Sequence, residues 1–132
     1  MKKLLFFLIV ICIPLFSYAE NCDEMFADII RNNQNSILPK ICHDAIAGNA
    51  SSQTLFGLWY ETQKNYPKAV KWYTKAAEQG QVGSYLVLGA LHSQVETGVQ
   101  DLDLAKKYLK LSCENDQPIG CNMLKEIDEK KL

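Results

Sequence analysis

The feature that most constrains this chain is a segment that occurs twice. The stretch KAVKWYTKAAEQG, residues 68–80, returns 36 positions later in degenerate form as LAKKYLKLSCEND, residues 104–116. Upstream, LFGLWYE at 55–61 matches VLGALHS at 87–93 with an offset of 32. Self-similarity at a period of roughly 20–50 residues is typical of proteins built from small stacked units. The difference between the two offsets indicates a connecting loop of variable length.

Each unit is predicted to contain two helices. Small and apolar residues recur at intervals of three and four, the spacing that places side chains on one face of a helix. These residues are Ala69, Tyr73, Ala76, Ala77 and Gly80 in one helix, and Tyr85, Leu88, Gly89 and His92 in the next.

Glycines mark special positions in these helices. Gly57 and Gly89 fall inside helical patterns, where glycine costs about 1 kcal/mol relative to alanine. We therefore expect each of them to allow close approach of a neighbouring helix. Gly48 and Gly80 are expected to end helices in the left-handed conformation, and Asn115-Asp116 tolerates the same conformation in the later copy.

These segments, with the loop GVQDLDLAKKY, resemble the Sel1-like repeat family over roughly residues 50–125. The resemblance implies an all-α fold, a short right-handed α-solenoid of antiparallel helix pairs related to tetratricopeptide repeats. We expect about seven helices, with two clear repeats and extra helices that cover the exposed ends of the stack. The chain departs from the family pattern in three places: no Gly-Val loop occurs at 62–66, His92 stands where tyrosine is usual, and Lys125 replaces an expected glycine.

The amino-terminal stretch MKKLLFFLIVICIPLFSYAE has the pattern of a secretory signal peptide. Its apolar run at 4–16 is shorter than the roughly 20 residues that cross a bilayer. Cleavage after Ala19 would leave a signal peptide at 1–19 and a single solenoid domain at 20–132. An uncleaved membrane anchor is the alternative. We expect a periplasmic or secreted protein with no membrane span after cleavage, and we favour a bacterial envelope over the alternative of a eukaryotic secretory route.

Composition and motifs exclude several classes of ligand. The net charge is −1 with two lysines in the leader, so the mature chain is acidic and offers no basic surface for nucleic acid. No glycine-rich phosphate loop occurs, and no cluster of ligands at zinc spacing is present. The sequence therefore predicts no cofactor and no metal.

The predicted mature chain contains four cysteines, and an oxidising compartment makes disulfides the default. Cys113 and Cys121 cannot bond along one straight helix, but the turn signal between them would bring two helices side by side. Their spacing resembles that of cysteine-rich Sel1-like proteins, which implies a Cys113–Cys121 disulfide between adjacent repeats. Among the remaining pairings we favour Cys22–Cys42, which would join a helix at about 23–33 to one at about 38–48. Buried free thiols are the alternative.

No catalytic set is evident. His43 stands beside Asp44, but the chain has no nucleophile elbow, and we expect His43 on a helix surface. His92 is interpreted as a packing residue. The repeat aromatics are interpreted as core, in preference to a sugar or cofactor platform: Trp59, Tyr60, Trp72 and Tyr73.

The resemblance implies a non-enzymatic scaffold or adaptor that binds another protein. A periplasmic immunity or inhibitor protein that neutralises a toxic enzyme is the first alternative, and a cell-wall or β-lactam hydrolase is a weaker one. By analogy with tetratricopeptide repeats, the first helix of each unit turns four positions toward the concave surface. The candidate partner-binding residues are Thr54, Leu58, Glu61 and Thr62, followed by Leu86, Ala90, Ser93 and Gln94. Plain solvated helix surface is the alternative.

Overall fold

The structure is a computed structural model that describes residues 22–27, 31 and 36–129. The chain divides into two units, Met1–Pro39 and Lys40–Leu132. The predicted signal peptide lies outside the described residues, so the leader and the domain boundary remain predictions. The described helices are α1 Cys22–Met25, α2 Leu38–Ile46, α3 Ala50–Thr62, α4 Tyr66–Glu78, α5 Val82–Ser93, α6 Leu102–Glu114 and α7 Pro118–Glu129, with a 3₁₀ helix at Val95–Thr97.

The described part of the first unit is short. Helix α1 covers the beginning of the helix predicted at about 23–33, whose remainder lies largely outside the described residues. Helix α2 begins in this unit and continues into the second, close to the predicted range of about 38–48.

The second unit is an all-α solenoid in which consecutive helices pack against one another. Helix α3 contacts α4, α4 contacts α5, α5 contacts α6 and α6 contacts α7. The strand-free, helix-pair architecture predicted from the repeat is therefore confirmed for the described residues.

Side chains and turns fix where the helices begin and end. The oxygens of Asn49 and Asp101 accept hydrogen bonds from the backbone N–H groups of Ser52 (2.9 Å) and Leu104 (3.0 Å), which caps α3 and α6. Such caps satisfy donors that have no partner inside the helix. The left-handed conformations predicted at the helix ends are confirmed, with φ of +99° at Gly48, +82° at Gly80 and +60° at Asp116.

Three glycines allow helices to approach closely. A Cβ atom at Gly57 would lie 3.0 Å from the ring of Tyr73, and one at Gly89 would lie 2.6 Å from the side chain of Leu109. Both predictions of close approach are thus confirmed. Gly120 in α7 behaves in the same way, because its Cβ would lie 2.5 Å from the Ser112 hydroxyl. Gly120 lies four positions after the left-handed Asp116, as Ser84 lies four positions after Gly80, so Lys125 stands at the position of Gly89, as the sequence indicated.

The aromatic residues of the first repeat form its core, as predicted. Tyr60, Trp72 and Tyr73 are buried and Trp59 is half-buried. The ring of Phe56 lies 5.0 Å from those of Tyr60 and Trp72.

A disulfide joins the last two helices. Cys113 in α6 and Cys121 in α7 are bonded across the turn at Asp116, with their Cα atoms 4.7 Å apart. Cys22 and Cys42 each take part in a disulfide, and their pairing with one another stays a prediction. Disulfides are typical of proteins in an oxidising compartment.

Candidate protein-binding groove

Most of the predicted binding residues line one cavity. A groove of about 420 Å³ lies between the carboxyl-terminal halves of α3 and α5. Six of the eight candidates line it: Leu58, Glu61, Thr62, Leu86, Ala90 and Gln94. The structure brings together residues that are about 30 positions apart because the repeat sets the two helices side by side.

The other two candidates, Thr54 and Ser93, make hydrogen bonds and do not line the groove. The Thr54 hydroxyl donates to the carbonyl of Ala50 and lies 3.0 Å from the Ser84 hydroxyl. The latter contact links α3 directly to α5. The Ser93 hydroxyl donates to the carbonyl of Ala90 at 2.8 Å. Both side chains are half-buried and lie outside the lining of the groove.

The walls of the groove are mainly apolar. Leu58 is 48% exposed, which is high for a large aliphatic side chain within a packed repeat. Leu86 and Ala90 are half-buried on the opposite helix. Each Å² of apolar surface removed from water stabilises a complex by roughly 25 cal/mol, before the costs of association are counted. The groove therefore offers a modest apolar contact to a partner.

One carboxylate in the groove is held in a fixed position. The Tyr73 hydroxyl donates to Oε2 of Glu61 at 2.8 Å. Tyr73 is buried, and this burial, followed by the hydrogen bond to Glu61 and the charge of Glu61, raises the pKa of Tyr73 well above its usual range. The phenol therefore stays protonated and keeps donating to the carboxylate.

The sequence reasoning missed four residues of the lining: Lys64, Tyr66, Val87 and Leu91. Lys64 belongs to the short connection between α3 and α4, which replaces the usual loop of the repeat, and Tyr66 is the first residue of α4. Lys64 has φ of +57° and its N–H donates to the carbonyl of Glu61 at 2.8 Å. The sequence shows that this connection is shorter than in the family pattern. That shortening could have indicated that the side chains of Lys64 and Tyr66 lie at the groove.

The histidines lie apart from the groove. His43 is exposed on α2, as predicted, and the neighbouring Asp44 forms an ion pair with Lys40. His92 is buried, its Nδ1 lies 2.8 Å from the Val99 carbonyl oxygen, and its ring stacks on Tyr108, in line with a packing role.

The described residues contain neither a metal-binding cluster nor a membrane-spanning helix. Within the part of the chain that the structure describes, no group of three or more histidine, cysteine or acidic side chains is arranged to hold a metal ion. Among the described helices, none combines the length and apolar character needed to span a bilayer.

Comparison with known families decides how these helices are classified. A family model described as Sel1 repeat matches residues 54–81 and 88–117. The chain contains two Sel1 repeats. No curated protein and no solved structure matches it. The groove lies where the two Sel1 repeats meet, because Leu58 belongs to the first and Ala90 to the second. Sel1 repeats are generally scaffolds for protein–protein interaction.

Proposed function

We propose that this protein is a secreted or periplasmic, non-enzymatic scaffold that binds another protein in the groove between its two Sel1 repeats. The observation that carries the proposal is that six of the eight predicted binding residues line one mainly apolar cavity. Such a cavity, rimmed by uncharged polar groups, one acid and one lysine, has the composition of a modest protein interface.

The cysteines and the amino-terminal sequence support the proposed compartment. The Cys113–Cys121 disulfide fits an oxidising environment, and the amino-terminal sequence has the pattern of a signal peptide. Together they support export to the periplasm or the medium.

Arginine substitutions in the groove test the function. Leu58→Arg and Ala90→Arg should each abolish capture of a partner from envelope extract, because a long charged side chain would fill the apolar cavity. Neither should alter the circular dichroism melt appreciably, because Leu58 is half-exposed and Ala90 is half-buried on the groove wall.

Leu55→Arg is the matched control. Leu55 lies in the same helix and is 47% exposed, nearly the same as Leu58, but it lies outside the groove lining. Capture should survive this change. If both groove variants fold and still capture the partner, the site lies elsewhere, and the loop from Val95 to Asp103 is the next candidate.

The alternative of an immunity or inhibitor protein is a narrower form of the same proposal. It predicts that the captured partner is an enzyme and that stoichiometric addition of this protein lowers its turnover. Turnover that stays unchanged at saturation would leave the scaffold function and exclude inhibition of that partner.

A further inference from the structure

We propose that the groove selects a partner segment in which an apolar side chain stands next to a lysine or arginine. The apolar side chain would pack on Leu58, Leu86 and Ala90, and the cationic side chain would donate to Glu61. This inference rests on the proposed function and specifies the chemistry of the partner.

The groove contains one acidic side chain that has no ion-pair partner among the described residues. Glu61 is the one acidic residue among those that line the cavity. No described lysine, arginine or histidine lies within ion-pair distance of its carboxylate. A carboxylate accepts about four hydrogen bonds, and the Tyr73 hydroxyl at Oε2 supplies one of them. Glu61 therefore keeps acceptor capacity for a donor brought by a partner.

Glu61 differs in its surroundings from other acidic residues of the solenoid. Asp128 pairs with Lys106 at 2.7 Å, Glu114 pairs with Lys110 at 3.8 Å, and Glu129 pairs with Lys125 at 3.6 Å. These pairs lie on exposed surfaces, where an ion pair contributes little. Glu61 is half-buried beside apolar side chains, where the same attraction is screened less by water.

Tyr73 holds the carboxylate of Glu61 in place. A Cβ on Gly57 would lie 3.0 Å from the Tyr73 ring, so the phenol is packed against α3 with little room to move. Its hydroxyl in turn fixes Oε2 of Glu61. An acceptor that is already in place loses less side-chain entropy when a partner binds. Tyr73 is accordingly a positioning residue for Glu61.

Lys64 also lines the cavity. Lys64 is exposed and makes no ion pair with Glu61, so its ammonium group can turn into solvent. Its charge nevertheless opposes a cation that enters the groove. Removal of that charge should therefore favour the cationic partner, which gives the hypothesis a variant that gains binding.

Matched peptide arrays test the selection directly. The probes are peptides of nine residues with a fixed central pair and randomised uncharged flanks, in which the pair is Leu-Arg, Leu-citrulline or Leu-Glu. Citrulline keeps the shape of arginine and lacks its charge. The oxidised full chain should bind Leu-Arg peptides at least fivefold more tightly than Leu-citrulline peptides, and Leu-Glu peptides most weakly.

Four variants test which residues of the groove produce the preference for a cationic partner. Glu61→Gln should bind Leu-Arg and Leu-citrulline peptides equally, while Lys64→Ala should bind Leu-Arg peptides about twofold to threefold more tightly than the wild type. Tyr73→Phe should lower the ratio of Leu-Arg to Leu-citrulline binding with little change in binding to Leu-citrulline. Ala90→Arg should lose binding to all three sets.

The outcomes separate this inference from the proposed function. If the wild type binds Leu-Arg and Leu-citrulline peptides equally and Ala90→Arg binds neither, the groove is a protein-binding site and the cation preference is wrong. If Ala90→Arg binds all three sets as well as the wild type does, peptide binding is independent of the groove, and both proposals are overturned.

Discussion

The two Sel1 repeats use the same backbone arrangement and fill it with different side chains. In the first repeat Gly57 packs on the ring of Tyr73, and in the second Gly89 packs on the aliphatic side chain of Leu109. Tyr73 and Leu109 are equivalent positions, 36 residues apart. The requirement that the two copies share is thus a missing Cβ on one helix and a bulky group on the other. The chemical type of that group is free to differ.

The connections between the helices also differ and account for one departure from the family pattern. In the first repeat α3 and α4 are joined by a short turn, and Tyr60 packs in the aromatic core. In the second repeat the longer connection needs anchors. The buried His92 ring meets the Val99 carbonyl, and the Thr97 hydroxyl donates to the carbonyl of Leu91 at 2.9 Å. His92 therefore combines packing with a polar contact that holds the long loop.

Truncation of equivalent aromatic residues should show the largest contrast. Trp72 is 2% exposed, whereas its counterpart Tyr108 is half-buried. Trp72→Ala should cost about 3–5 kcal/mol of unfolding free energy through lost burial and a cavity. Tyr108→Ala should cost about 1–2 kcal/mol, within the common range for point mutations. Chemical denaturation of the oxidised protein measures both.

Trp72→Phe is the control for the polar part of that side chain. The Trp72 indole N–H is buried and has no hydrogen-bond partner. Phenylalanine removes this unsatisfied donor and keeps most of the apolar volume, so the loss should stay below about 1.5 kcal/mol. Equal losses for Trp72→Ala and Tyr108→Ala would mean that the first repeat does not depend on its aromatic core more than the second.

The disulfide should account for the next largest difference between the repeats. Cys113 and Cys121 are separated by eight positions, and closing so short a loop stabilises the native state by about 2.5 kcal/mol on the chain-entropy model. The double substitution Cys113→Ser and Cys121→Ser should therefore lower the unfolding free energy by about that amount. Hydrogen exchange should show the loss of protection in α7 before it appears in α3 and α4. Uniform loss across all helices would indicate that the solenoid unfolds as one cooperative unit.

The repeat pattern predicted the helices because each carries its own periodicity and caps. Gly57 and Gly89 indicated the close approaches, because a glycine weakens a helix and is compensated there by the space it leaves for a neighbouring helix. The close approach at Gly120 was missed because Gly120 stands four positions after the left-handed Asp116, where the earlier copies have Ser52 and Ser84. Comparison of the copies predicts only the features that they share.

The candidate groove was also predictable only in part. Leu58 and Ala90 follow from helix geometry, because a position next to the repeat glycine lies at a constant angle around the helix. The role of Tyr73 in holding Glu61 was not predictable, because it depends on how far the phenol extends across the helix pair. Lys64 was missed because its position is set by a turn with a left-handed residue, which periodicity does not describe.

Substitution of alanine for Gly57 and for Gly89 should show the smallest difference in stability between the two repeats. Replacing a helical glycine by alanine gains about 1 kcal/mol in helix propensity at both sites. At Gly89 the new Cβ would meet Cγ and Cδ2 of Leu109 at 2.6 Å and the Leu109 backbone nitrogen at 3.3 Å. Leu109 is fully buried, so overpacking there costs about 1–3 kcal/mol. We expect Gly89→Ala to be net destabilising by about 1 kcal/mol.

At Gly57 the nearest atoms are ring carbons of Tyr73 at 3.0–3.1 Å, and no backbone atom is as close. A shift of a few tenths of an ångström would relieve the contact, but the Tyr73 hydroxyl is tethered to Glu61. Gly57→Ala should therefore be nearly neutral in stability, because the gain in helix propensity offsets this strain. It should be more favourable in a Tyr73→Phe background, where no hydrogen bond to Glu61 restrains the ring. Thermal melts of Gly57→Ala, Gly89→Ala and the double variant Gly57→Ala/Tyr73→Phe test this expectation. If Gly57→Ala costs as much as Gly89→Ala and Tyr73→Phe brings no relief, the ring is fixed by packing alone, and the tether to Glu61 plays no part in the difference between the repeats.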